Sequence, residues 1–180
     1  MPKLIRWTGD HAALADDRFT WVADDEPVPA GDVIVSLTRF HAEGERLIGD
    51  GRAVGVRVAA DEPVESLAYD LPALALVALE FPKFKDGRAY SAARILRERF
   101  GFTGELRAVG DVLLEQARFM IRCGFDAFEP ADTTTPEQWT AAAGRFRHVY
   151  QRAADTREPA FTLRHAAPAR APAFAVRDAA

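Results

Sequence analysis

Lys83, Lys85 and Arg88 place three cations within six residues, inside the stretch Glu80-Phe81-Pro82-Lys83-Phe84-Lys85-Asp86-Gly87-Arg88-Ala89-Tyr90. Cations just ahead of a helical pattern suit an anion, because the free N–H groups and dipole of a helix start already favour phosphate, sulfate, sulfite or a carboxylate. The plainer reading of the same loop leaves Lys83 and Lys85 solvated, with Asp86 as helix cap and Gly87 easing the turn. Tyr90 falls in the first helical turn, while Phe81 and Phe84 read as packing residues. Arg39, after an earlier apolar run, could bring a further positive group to the same place. Asp111 is either a helix N-cap or a carboxylate aimed at that cleft. His41 has the pKa range of a general acid or base, although a lone loop histidine is usually only that.

Other chemistries lack their residues. Cys123 is the single cysteine, so there is no internal disulfide, no Cys-x-x-Cys pair and no thiolate set for zinc or an iron–sulfur cluster. Near the end of a helix its thiolate is disfavoured, and it reads as a small buried hydrophobe. His11, His41, His148 and His165 never recur at i, i+4, so no metal site is expected. Gly-x-Gly-x-x-Gly after a strand, a Walker-type Gly-Lys-Ser/Thr and Gly-x-Ser-x-Gly are all missing, and no intrinsic cofactor is expected.

The elements that would position these residues alternate in type. The β-branched run Val33 to Leu37, the alternating Ala53 to Ala59, the apolar Leu74 to Leu79 and the short stretches Glu105 to Val109 and Phe125 to Glu129 read as strands, the second of them half exposed or at an edge. Helical patterns fill the intervals: Ala42 to Gly49, Ala89 to Phe100, and Asp111 to Cys123 with Gly124 as a left-handed cap. A last helix starts at Thr135-Pro136-Glu137-Gln138, a capping box with proline at the first position, and its apolar face is expected to run through Trp139 and Phe146 to Tyr150. Such alternation predicts an α/β fold with a mostly parallel sheet and helices packed on its faces, either an open doubly wound sheet or a partial barrel. The strands at 33–37, 74–79, 105–109 and 125–128 should run parallel with their carboxyl ends on one side, where ligands bind in such folds.

Residues 1–31 read as an irregular lead-in with a possible strand at Phe19 to Val22, residues 32–152 as one α/β domain, and residues 153–180 as an Ala/Pro/Arg-rich tail, mobile or loosely packed. A chain of 180 residues with net charge -4 is long enough for one core and is not drawn to nucleic acid or an anionic membrane. Its longest apolar stretch, Leu71 to Phe81, is far short of the ~20 residues of a spanning helix. No signal-peptide h-region follows Met1 to Trp7, so a cytoplasmic location is expected.

The stretch Leu79 to Ser91, continued by Ala93-Arg94-Ile95-Leu96-Arg97, and the later Arg122-Cys123-Gly124-Phe125-Asp126-Ala127-Phe128-Glu129 resemble a bacterial family known as domain of unknown function 934, over roughly Asp32 to Tyr150. The resemblance implies an oxidoreductase connected with sulfite reduction in sulfur assimilation, and it carries no catalytic residue with it. Reduction of sulfite to sulfide takes six electrons, which a chain with one cysteine and no flavin, haem or cluster motif does not store. Two expectations follow. One is an accessory protein of assimilatory sulfite reduction that binds an anion or a redox partner, either sulfite reductase or its electron donor. The other is a small enzyme whose basic strand-end loop binds an anionic substrate or cofactor, with Arg39, Lys83, Arg88 and Asp111 converging on a pocket.

Overall fold

A computed structural model describes residues 3–155 and 157–166. Eight strands form one sheet: β1 (Leu4–Trp7), β2 (Ala12–Ala15), β3 (Thr20–Trp21), β4 (Val33–Ser36), β5 (Val54–Val58), β6 (Leu76–Phe81), β7 (Glu105–Gly110) and β8 (Ala127–Phe128), in the order β2-β1-β8-β7-β6-β5-β4-β3. From β3 to β8 every neighbour is parallel, and their carboxyl ends share one side. β1 runs against both of its neighbours. The sheet is therefore mixed rather than mostly parallel, because residues 4–15, read from sequence as an irregular lead-in, fold as a hairpin against β8. β5 is central, not an edge strand; its Arg57 is tolerated because Glu80 of β6 pairs with it at 3.1 Å.

The α-helices are α1 (Leu37–Gly49), α2 (Arg88–Arg94), α3 (Ala117–Cys123), α4 (Pro136–Gly144) and α5 (Ala160–Ala166). Strands β4 to β8 follow one another in space as in sequence, so the right-handed crossovers put α1, α2 and α3 on one face, with no switch point between strands, and α4, which follows β8, packs on the same side through Trp139. Residues of all four join Val35, Val56, Leu79 and Ala108 in one core cluster, whereas the cluster behind the other face, Ile34, Leu76, Ala78 and Val109, contains no helical residue. That excludes a doubly wound sheet. The arrangement is an open, curled half-barrel.

The curl follows from chain length. Only residues 16–19 separate β2 at one edge from β3 at the other, a reach of at most ~18 Å, whereas the outer strands of a flat eight-stranded sheet stand ~33 Å apart. The sheet has to bend, and residues 16–19 cross its helix-free, concave face. Phe19 packs there on Ile34, Leu76, Ala78 and Val109. Asp17 meets Arg107 of β7, which is wholly buried.

Local signals are realised with shifts at their ends. Thr135 and Gln138 form the expected capping box, and Gly124 is left-handed with φ 99°. α1 begins at Leu37 because Ser36 accepts the Arg39 N–H at 3.0 Å. α2 widens after Arg94 into a π-turn over Ile95–Arg99. Regular α-helix in α3 starts only at Ala117, after a 3-10 turn at Leu114–Gln116. α4 stops at Gly144, where Arg118 takes the Ala143 and Phe146 carbonyls, and Phe146 and Tyr150 are left exposed instead of continuing an apolar face. Of the expected tail, α5 is helical; residues 167–180 lie outside the described residues.

Candidate functional site

The loop between β6 and α2 stands at the carboxyl ends of the strands. Lys83, Phe84 and Lys85 are all exposed, and Phe84 shows 48% of its surface. The loop is nevertheless held at both polar groups of the Phe84 backbone. Its N–H donates to the Asp111 carboxylate at 2.7 Å, and its carbonyl accepts from Gln116 Nε2 at 3.5 Å. Asp111 is thus no helix cap, since the next helical turn begins at Leu114. Its position depends on Gly110, whose φ is 94° and where a Cβ would stand 2.4 Å from the Phe81 carbonyl oxygen. This close approach lets Asp111 N–H reach the same oxygen at 2.7 Å and turns its carboxylate towards Phe84.

The remaining residues expected at the site are engaged elsewhere. Arg88 grips Asp86 with Nε at 3.0 Å and Nη2 at 2.6 Å, and these bonds hold the Asp86 carboxyl down at about 2. The positive charge of Arg88 is therefore answered inside the loop, which leaves Lys83 and Lys85 as its unpaired cations among the described residues. Tyr90 is half-buried, edge-on to Phe81 and Phe119, and burial lifts its phenol to about 12. Arg39 lies in the first turn of α1, nearly buried, and donates to the Ala23 carbonyl while facing Glu43 at 3.3 Å. It ties the segment after β3 to the helix and does not meet the lysines' loop. The Cys123 thiol is buried and pushed up to about 11 by that burial, a reactivity suited to packing rather than nucleophilic attack.

A second constellation, which the reading of the sequence missed, lies on the concave face. Arg107 donates to Asp17 at 2.6 Å, Glu105 at 2.8 Å and Glu129 at 3.0 Å, and Glu105 also binds Arg6. Burial alone would lower the Arg107 pKa, but the Asp17 and Glu105 carboxylates outweigh it and the net direction is upward. The guanidinium is locked as a cation and can only hold structure or charge. Its signal in sequence is a lone arginine inside an apolar strand, the same signal as Arg57. Among the described residues no three His, Cys, Asp or Glu are grouped to hold a metal, and no helix is long and apolar enough to cross a membrane.

Arg97, on the π-turn, donates to the Gly124 carbonyl at 2.9 Å and to the Asp126 carboxylate, so the sequence stretches around 79–97 and 122–129 are stitched together in space. A family model of bacterial proteins of unknown function, DUF934, matches residues 55–161 and includes both stretches. The chain belongs to that family. No curated protein matches it. For this DUF934 member the stitch accounts for two parts of the motif as architecture, since Arg97 and Asp126 close the amino ends of β7 and β8, and Asp126 also accepts the Leu106 N–H at 2.9 Å. The exposed Lys83-Phe84-Lys85 tip has no such structural duty.

Proposed function

We propose that this DUF934 protein is an accessory of assimilatory sulfite reduction that docks an acidic partner, sulfite reductase or its electron donor, through the Lys83-Phe84-Lys85 tip. The pathway comes from the resemblance in the two sequence stretches. The docking role rests on one observation: an exposed aromatic ring flanked by two exposed cations, on a backbone pinned from both sides by Asp111 and Gln116. An aromatic anchor with a charged rim is the usual composition of an interface centre, and a loop already held in place loses less entropy on binding. In a chain of net charge -4 the two lysines reverse the sign locally and steer an acidic surface towards the tip.

The test has a cellular and a direct arm. A deletion strain grown on sulfate as sole sulfur source is complemented at matched expression with wild type or with Lys83→Glu/Lys85→Glu, and purified sulfite reductase and its electron donor are titrated with both proteins. The double variant is expected to fold normally, fail to complement and bind at least ~10-fold more weakly, with Phe84→Ala reproducing the loss. Full rescue by the double variant would refute the reading.

A further inference from the structure

Away from that tip, the far end of α4, the outer side of α3, the turn after β1, Asp155 and Arg157 line a cavity of about 260 Å³. Three guanidinium groups line it. Arg122 is answered by Asp155, with Nη1 at 3.0 and 3.2 Å from its two oxygens. Arg118 and Arg157 have no carboxylate partner among the described residues. Arg118 donates to the carbonyls of Ala143 at 3.2 Å, Phe146 at 2.7 Å and His148 at 3.3 Å, and Arg157 donates to the same Phe146 oxygen at 3.4 Å. Two like charges thus converge on one neutral acceptor. Burial, with Arg157 and Arg122 adding to it, lowers the Arg118 pKa, which is the mark of a cation short of a counter-charge.

We propose that this cavity is a binding site for a small oxyanion of the phosphate, sulfate or sulfite type, held between Arg118 and Arg157 with Arg122 as a positioning residue. The carbonyl bonds use both hydrogens of Arg118 Nη1, one of its Nη2 and one of Arg157 Nη1, so Nε and the second Nη2 hydrogen of Arg118 and four N–H groups of Arg157 remain as donors for a ligand. Guanidinium forks fit the oxygen spacing of such anions better than any other side chain. The size of the guest follows from the charge of the lining: three arginines stand against Asp155 and against Asp10 at the rim, which is itself bonded to His11 at 2.6 Å. One net positive charge matches a single small anion and not a polyanion. The volume leaves room for the waters such an anion keeps.

This site is independent of the docking tip, and the experiment separates them. Calorimetric titration and thermal melts in a zwitterionic buffer compare sodium phosphate, sulfate and sulfite with sodium chloride at equal ionic strength. At least one of the three is expected to bind saturably and raise the melting temperature with concentration. Arg157→Ala, an exposed position, should melt like wild type without ligand and bind roughly 10- to 100-fold more weakly, while Lys83→Glu/Lys85→Glu binds as wild type. Absence of saturable binding by all three anions, or unchanged binding in Arg157→Ala, would show that these arginines only tether the segment after α4.

Discussion

Arg107, Asp86 and Cys123 show how far a side chain's surroundings decide its chemistry. Arg107 is wholly buried against three carboxylates, and Asp17 reaches it from the segment that crosses the concave face. Removing one member of a buried ion network leaves the others uncompensated, so Arg107→Ala should cost ~3–5 kcal/mol in urea unfolding; a loss below ~1 kcal/mol would mean that the crossing segment is held by Phe19 alone. Asp86 illustrates the opposite case, a partly buried carboxylate whose partner Arg88 is exposed and lies two residues away. Its carboxyl is lowered from 3.8 to about 2 by Arg88. A folded-state value below the unfolded one gives a stabilising contribution that is complete above about 3.8 and is lost as pH falls through about 2. Carboxyl NMR titration should find that midpoint, and Arg88→Ala should return it towards 3.8. Cys123, with its thiol near 11, should resist thiol reagents at pH 8 until the protein is unfolded.

At the scale of elements, short-range signals predict well where two neighbouring residues suffice to make the contact. The Thr135 and Gln138 bonds need nothing beyond their own turn, and Thr135→Ala should destabilise by ~1 kcal/mol in the same unfolding assay. Gly110 is different, since its role depends on the Phe81 carbonyl of the neighbouring strand. Gly110→Ala combines a left-handed backbone with a clash and should cost at least ~1–2 kcal/mol. It should also weaken partner binding through displacement of Asp111 and the Phe84 loop, which distinguishes it from a substitution that merely destabilises. Phe146 and Tyr150 mark where the helical period misleads: their spacing continues α4, but the carbonyls beyond Ala143 are drawn to Arg118 instead.

For the whole molecule, residues 4–21 are part of the architecture. They supply three of the eight strands, cover β8 and carry the segment that fills the concave face. A chain beginning at Asp32 would expose the edge of β8 and strip Asp17 from Arg107. It is expected to lose near-UV circular dichroism and cooperative melting; a native-like spectrum from that truncation would show the amino-terminal strands to be dispensable.

The parallel direction of β4, β6, β7 and β8, the caps at Thr135 and Gly124 and the lysine loop at a strand end were legible in the chain, because each depends on residues within a turn or on the alternation of strand and helix runs. The order of the strands, the central place of β5, the reversal of β1, the choice of a half-barrel and the fate of the candidate cations were not. Those depend on pairs far apart in sequence: Asp17 with Arg107, Arg39 with Ala23, Asp111 with Phe84. A charged residue within a strand reads as exposed because burying it alone is prohibitive, and only the folded chain brings Asp17 across ninety positions to make burial of Arg107 tolerable.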